Sequence, residues 1–424
     1  MQACFCDQHC YFGASADPGS FSDLKQHLKI GRGKVQSKRS NSLDILIYAP
    51  TPLGGLAEHI HYQAIALFQK NISCLMLSSR DFLNQRSDIS YPVKYILLSP
   101  SNLKHNFFFK KLKLFLSILL NQWILAFQII QTQPKLILLE SYSEYLSPLW
   151  FFPHFFLAKF FKLRYVANLH DPVRNYIVGP LWWHQISMKL AYLPLSYVLI
   201  HQKLPSNALV PERIKVFEVP VGIYDIKIDN FVKPNIIRDT WNVPYDKYVF
   251  LSFGFIRDDK NLDLFMKSMI NFPEVFLVIL GSVASSQNKP ISFYKELAHS
   301  LHINDRVYIS EHFVPDEQVA SNFLAADVIL LTYSGSFHSQ SGVLNIAAKM
   351  QKPVLASSGV SPLKECVEKF NLGVFVEPDS ISALTNGIKN ILANKYSKPQ
   401  WKKYSSYASW DINANVILEI LSGS

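Results

Sequence analysis

Residues 327–356 read DVILLTYSGSFHSQSGVLNIAAKMQKPVLA. The apolar run 328–331, continued by Thr332, has the composition of a buried strand. A Ser/Gly-rich turn follows, a helix is predicted from about Gly342, and residues 353–356 make a second strand. Strand, turn, helix and strand form one parallel crossover. In such a unit Ser339, Gln340, Ser341 and Gly342 stand at the amino end of the helix, where unpaired N–H groups and the helix dipole attract an anion such as phosphate. The same residues also suit an ordinary N-cap, with Ser339 or Ser341 closing a loop of no chemical interest. The rest of the chain has to separate the two readings.

With 424 residues the chain exceeds one ordinary domain, and two are expected. Apolar residues make up 49% and charged residues 17%, so a large core is available and disorder is expected only at the ends. A net charge of +10 calls for an anionic partner: nucleic acid, anionic lipid or a phosphorylated small molecule. The basic residues are scattered and carry no helix-turn-helix, zinc or RNA-binding signature, which argues against nucleic acid. Cys4, Cys6 and Cys10 crowd the first ten residues, while Cys74 and Cys366 lie in strand and helix patterns. This is no disulfide framework and suits a reducing cytosol; the first three lack a second ligand pair, so no metal is expected. Residues 1–42 are polar, carry six Lys/Arg against three Asp and contain no apolar signal core, so they read as a solvated or anion-seeking extension.

Residues 44–50, DILIYAP, are a strand ended by TPLGGL, a helical spacing over 57–68 and another strand in NISCLML. The turn of this opening βαβ unit holds Gly54 and Gly55, which let a backbone approach a ligand closely; it is not the three-glycine dinucleotide fingerprint. Further strands are predicted at 93–98, 135–140, 164–170, 197–201 and 215–219, with helices between most of them, the alternation of a doubly wound parallel sheet. A second series runs through 248–254, 275–281, 306–309, 327–331, 353–356 and 374–377. The two meet in the mixed-polarity stretch 223–243, taken as the boundary. Ligands of open α/β sheets collect beyond the carboxyl ends of the strands, so the active site is expected in the cleft between the sheets.

Residues 107–161 are rich in aromatic and apolar side chains, interrupted by Asn121, Gln122, Pro153, His154 and Lys159. Neither half is a clean span of about 20 apolar residues. Both read as helices with an aromatic and basic face on an anionic membrane surface, or as helices packed into the domain.

Several strand ends could carry chemistry. His170 ends RYVANLH, is followed by Asp171, and could hold a substrate hydroxyl or help bear its proton. Arg257 and Lys260 follow the strand of LSFGFIRDDKNLDLF, three residues apart, and could neutralise a leaving diphosphate. Glu140 ends LILLE and could contact a sugar hydroxyl or orient a neighbour. Each also has a bland reading, as a strand-end histidine bonded to a loop or a surface charge run.

The blocks APTPLGGLAEH, VANLHDP, FGFIRDDKNLD and SQSGVLNIAAKMQKPVLAS, in this order and spacing, resemble a GT-B glycosyltransferase of the family 4 type, the glycosyl transferases group 1, over about residues 43–420. The resemblance implies an α/β fold of two Rossmann-like domains facing across a cleft: an extension at 1–42, an acceptor domain at 43–222, a linker region at 223–243, a nucleotide-sugar domain at 244–397, and a closing helix at 398–424 that crosses back to the first domain. It implies transfer of a sugar from a nucleotide-sugar donor, with retention and no obligatory metal or cofactor. Carried onto matching positions, Gly54 and Gly55 border the diphosphate or the acceptor, and His170 faces the reacting sugar. Arg257 and Lys260 bind the diphosphate, and Ser341, Gly342 and Val343 present backbone N–H groups to it. His338, Ser339 and Gln340 complete the donor site, and Glu140 and Asp171 are candidates for the acceptor. A sugar or lipid-linked acceptor, polysaccharide or glycolipid synthesis, and a cytoplasmic location at the inner face of a membrane are expected.

The sequence departs from the family where two glutamates eight positions apart are usual. Here those positions are His338 and Ile346, and the glycine that usually precedes the Lys-Pro pair is Gln351. Isoleucine cannot accept a hydrogen bond from a ribose, so nucleotide recognition must differ. Two other functions stay open at this point: a nucleotide-sugar epimerase of the same fold, which needs carboxylates around the sugar, and a noncatalytic nucleotide- or lipid-binding member.

Overall fold

A computed structural model describes residues 43–423, apart from 53, 84–87, 100–106, 142, 171–176, 178, 202, 205–207, 227–231 and 313. The extension at 1–42, with Cys4, Cys6 and Cys10, and the candidate Asp171 lie outside the described residues.

The first half runs β1 (Ile45–Tyr48), α1 (Gly54–Gln69), β2 (Cys74–Ser78), α2 (Arg80–Leu83), β3 (Val93–Tyr95), α3 (Phe107–Thr132), β4 (Leu136–Leu139), α4 (Ser147–Phe160), β5 (Arg164–Asn168), α5 (Leu181–Ala191), β6 (Tyr197–Ile200) and β7 (Lys215–Glu218). Its seven strands pair in parallel in the order β3-β2-β1-β4-β5-β6-β7. The register Ile45↔Leu136 and Leu136↔Arg164 sets β1, β4 and β5 side by side, so the residues after them emerge on one edge. The central strands are apolar on both faces, as helices on both sides require.

The second half runs α6 (Pro234–Thr240), β8 (Tyr248–Phe253), α7 (Leu262–Ser268), β9 (Val275–Leu280), α8 (Ile291–Ser300), β10 (Val307–Ser310), α9 (Asp316–Ala325), β11 (Val328–Thr332), α10 (Gly342–Lys349), β12 (Val354–Ser357), α11 (Pro362–Lys369), β13 (Gly373–Phe375), α12 (Ile381–Leu392), α13 (Trp401–Tyr407) and α14 (Trp410–Ser422). Six parallel strands lie in the order β10-β9-β8-β11-β12-β13. Each sheet is covered by a separate apolar core on either face. This is the doubly wound architecture expected from the alternation of strands and helices.

The two halves are tied by the chain's end. Tyr404 and Ala408, of α13 and its C-cap, sit in the core of the second half, whereas Ala414, Ile417 and Ile420 of α14 are buried in the first. Gln63 of α1 donates to Asn413 (2.7 Å), and Trp410 Nε1 donates to the Ile223 carbonyl (3.0 Å). The stretch read as a boundary is itself partly structured, since Trp241 and Val243 belong to the second core.

Residues 107–132 form one helix, and the polar interruption at Asn121 and Gln122 faces inward. The Asn121 amide pairs with both backbone groups of Leu98 (2.7 and 2.9 Å), and the Gln122 carbonyl lies 3.2 Å from His154 Nε2 of α4. Leu125, Ala126 and Ile129 pack beneath the sheet. Among the described residues, Leu112–Thr132 is the one helix stretch long and apolar enough to cross a membrane, yet that buried face makes it a helix of the domain. Its opposite face leaves Leu120, Trp123, Phe127 and Ile130 exposed.

Candidate active site

The turn between β11 and α10 is braced from several sides. The Ser334 N–H donates to the Asp259 carbonyl (2.7 Å) and the Gly335 N–H to Asp379 Oδ2 (2.8 Å), while Asn261 Nδ2 donates to Asp379 Oδ1 (2.9 Å). Asp379 therefore clips the turn to the loop 257–261. Behind the turn, a Cβ on Gly359 would fall 2.3 Å from the Gly335 carbonyl oxygen and 2.7 Å from the His338 ring, so the turn rests on bare backbone.

Ser341 occupies the N-cap position of α10 but does not cap it. Its hydroxyl lies 3.1 Å from the Tyr333 hydroxyl, and no side-chain cap bond reaches the helix amides. The plain capping reading of the sequence therefore does not describe Ser341, and the first-turn amides at Gly342 and Val343 keep their anion-binding character. The Tyr224 hydroxyl, from the connection between the halves, would lie 3.5 Å from a Cβ on Gly342.

Arg257 and Lys260 lie on the loop held against the turn that precedes this helix. Lys260 is buried, with Nζ donating to the Phe253 carbonyl (2.7 Å) and its own carbonyl accepting from Thr332 Oγ1 (2.9 Å). Burial first, and the Arg257 charge second, pull the ammonium down to about 7 against the opposing effect of Asp259. Arg257 is more open: Nε sits 3.2 Å from Asp259 Oδ1, and the guanidinium carbon lies 6.0 Å from the centre of the Tyr333 ring. Tyr333 is also the residue that engages Ser341. One tyrosine thus links Arg257 to the helix end, while Lys260 is tied to the end of β11 through its backbone carbonyl at Thr332.

The remaining donor candidates line the same turn. His338 is exposed, with Nδ1 2.9 Å from the Val360 carbonyl. A carbonyl only accepts, so Nδ1 carries the proton and a neutral His338 offers Nε2 as an acceptor. Gln340 Nε2 lies 3.4 Å from the Tyr404 hydroxyl, and its buried Oε1 has no partner among the described residues. Val343 and Ile346 pack against the apolar core. Ser339 is half-buried. Gln351, at the position where glycine is usual in the resembled family, has φ of +51°.

In the first half, Gly54 opens α1 with φ of +80°, a conformation that favours glycine, and Gly55 is exposed with open space around a would-be Cβ. His170 emerges after β5, with 22% of its side chain exposed. The ring nitrogens that the sequence offered to a substrate are both engaged within the protein: Nε2 lies 2.9 Å from Glu140 Oε1 and Nδ1 3.3 Å from His201 Nε2. Glu140 needs a similar correction as an acceptor contact. It is 1% exposed, and Oε2 accepts from Asn168 Nδ2 (2.7 Å) and lies 3.3 Å from His59 Nδ1. Its carboxylate orients neighbours instead. Burial pushes this carboxyl up, but His59 and His170 outweigh it through charge and hydrogen bonds, leaving it at about 2. Sequence reasoning missed His59 and His201. His201 ends YVLIH as His170 ends RYVANLH, so the strand-end logic could have found it; His59 lies within a helix and gave no such signal.

The geometry can be set beside known proteins. Residues 235–408 match the family described as glycosyl transferases group 1. No curated protein matches the chain. Among solved structures, sucrose-phosphate synthase from Thermosynechococcus elongatus is similar at 17% identity with a TM-score of 0.64, covering 90% of this chain and 100% of that one. HepE from Anabaena, solved with UDP-glucose, is similar at 15% identity with a TM-score of 0.65, covering 90% and 98%. WaaG, a glycosyltransferase involved in lipopolysaccharide biosynthesis, is similar at 14% identity with a TM-score of 0.54, covering 90% and 100%. The second domain is a member of the glycosyl transferases group 1 family, and the fold over nine-tenths of the chain is the GT-B fold of those structures.

Proposed function

We propose that this glycosyltransferase moves a sugar from a nucleoside-diphosphate-sugar to an acceptor hydroxyl, with retention at the anomeric carbon, in polysaccharide or glycolipid synthesis at a membrane surface. The observation that carries the reading is the uncapped amino end of α10 beside Arg257 and Lys260. The amides and the two cations stabilise the diphosphate as it leaves. On the retained face the departing diphosphate takes the acceptor's proton, which suits a site where the cleft-edge imidazole of His170 has both nitrogens engaged. His338 supplies an acceptor to a donor hydroxyl where the resembled family has a glutamate. UDP is the first nucleotide to try, because HepE was solved with UDP-glucose and with UDP.

The exposed apolar faces of α3, α4 and α5 support a membrane-borne acceptor. Phe152, Phe156 and Phe160 stack along α4, with successive ring centres 4.5 and 5.8 Å apart, and Trp182 and Ile186 continue the surface on α5. Lys159, Lys162 and Lys189 are exposed among them, the composition of an interfacial anchor on anionic lipid.

The test is nucleotide release from a panel of nucleotide sugars, UDP-glucose first. Turnover that falls by on the order of a hundredfold or more in Arg257→Ala/Lys260→Ala supports the reading. Unchanged turnover in that variant, or a wild-type protein that binds UDP yet releases no nucleotide from any donor, defeats it.

A further inference from the structure

Four titratable side chains from four elements meet at the carboxyl edge of the first sheet: His59 of α1, Glu140 after β4, His170 after β5 and His201 after β6. The ring centres of His59, His170 and His201 lie 4.9–5.1 Å apart. Trp410 of α14 closes the cluster at 5.1 Å from His59.

The protons of this cluster can be counted from the one partner that has no choice. The Val219 carbonyl accepts only, so His201 Nδ1, 3.0 Å away, carries a hydrogen. His201 is half-buried; desolvation, then the nearby His59 and His170, hold it well below the usual histidine range, so the ring is neutral and Nε2 bears a lone pair. That lone pair faces His170 Nδ1 at 3.3 Å, which must therefore donate. With Nδ1 protonated, a neutral His170 would turn a bare Nε2 toward Glu140 Oε1, 2.9 Å away. Two lone pairs do not meet at that distance without a cation between them, and the Glu140 carboxyl, held low by its histidine neighbours, does not keep a proton of its own there.

We infer that the cation is a proton: His170 is held doubly protonated, an imidazolium locked between the Glu140 carboxylate and His201, and these two are its positioning residues. The 2.9 Å separation is that of a charge-assisted hydrogen bond. Asn168 completes the acceptor demand of Glu140 and is itself fixed by Gln63, whose side-chain oxygen accepts from Asn168 Nδ2 at 2.8 Å. The consequence deepens the proposed transfer and rests on it for its kinetic part. His170 takes no proton from an acceptor; it presents a permanent positive ring to the cleft, where charge develops on the departing diphosphate.

The test reads the ring directly. In the full-length protein labelled with ¹⁵N, the His170 signals are assigned by their loss in His170→Gln. The expected spectrum at pH 7.5 shows both nitrogens in the imidazolium range. Glu140→Gln keeps the shape and can donate to Nε2, so His170 should become neutral there, with kcat for donor turnover lower by roughly a hundredfold and the donor KM within about threefold. A neutral His170 in the wild type overturns the inference, as does a ring still doubly protonated in Glu140→Gln. Metal analysis finding one tightly held divalent ion per chain, whose removal by a chelator shifts the His170 signals, would also overturn it by placing a metal where the proton is assigned. Should Glu140→Gln fail to fold, the wild-type spectrum decides alone. A protein that turns over no donor defeats the transfer reading, and the His170 spectrum still decides whether the ring is doubly protonated.

Discussion

At the scale of single residues, burial makes the charges of the proposed site conditional. Lys260 is buried and held at about 7, so it is largely neutral in alkaline solution until an anion arrives. A bound diphosphate favours the ammonium, and binding therefore draws in a proton. UDP affinity should weaken as pH rises above 7, by at most about tenfold per pH unit, whereas Lys260→Arg, always charged, should flatten the dependence. Calorimetric titration with UDP at pH 6, 7.5 and 9 checks this, and an equal slope in both proteins would remove Lys260 from the diphosphate site. Glu140 acts in the opposite sense. Its folded carboxyl lies at about 2 against an ordinary 4.5, so its stabilisation is complete above pH 4.5 and is lost as pH falls toward 2. Denaturant unfolding across that window should show the wild type losing stability faster than Glu140→Gln.

At the scale of elements, local sequence and local geometry disagree in one informative place. Gln351 follows the C-cap of α10, with its N–H to the Ala348 carbonyl (3.1 Å) and the Lys352 N–H to the Ala347 carbonyl (2.9 Å), the paired bonds of a Schellman turn. This turn requires φ of +51° from a glutamine, where glycine is unstrained. Gln351→Gly should stabilise the fold by about 0.5–1 kcal/mol, after the added entropy of the unfolded chain is subtracted. Thermal unfolding reads the change; a lower Tm would mean that the glutamine side chain holds something the backbone argument ignores. The helix α3 teaches a complementary lesson. Asn121 looked like a break in an apolar run, but its side-chain amide holds both backbone groups of Leu98, so this polar residue joins the helix to its surroundings.

At the scale of the whole molecule, the first domain buries one face of α3, α4 and α5 beneath its sheet and leaves the other apolar and exposed, Phe160 at 75% and Trp182 at 60%. The packed-helix reading describes the buried side of these elements, and the exposed apolar side is the surface that the interfacial reading requires. Vesicles rich in phosphatidylserine should sediment the protein, with high salt weakening the association. Phe127→Glu/Phe152→Glu/Phe156→Glu should reduce binding by on the order of tenfold while leaving the circular dichroism unchanged. Equal sedimentation of variant and wild type would count against a membrane-borne acceptor.

By itself the sequence determined the two parallel sheets and the turn-to-helix junction at SQSG, because both are local patterns: apolar runs alternate with helical spacing, and SQSG sits between strand and helix. It also placed His170, Arg257 and Lys260 at strand ends. The tertiary structure alone decided what those residues are free to do. Whether Ser341 caps its helix depended on Tyr333, and the availability of the His170 nitrogens depended on Glu140 and His201, 30 and 31 residues away in the chain. Protonation and hydrogen-bond capacity follow from burial and from partners brought together by strand order, and a linear pattern carries neither.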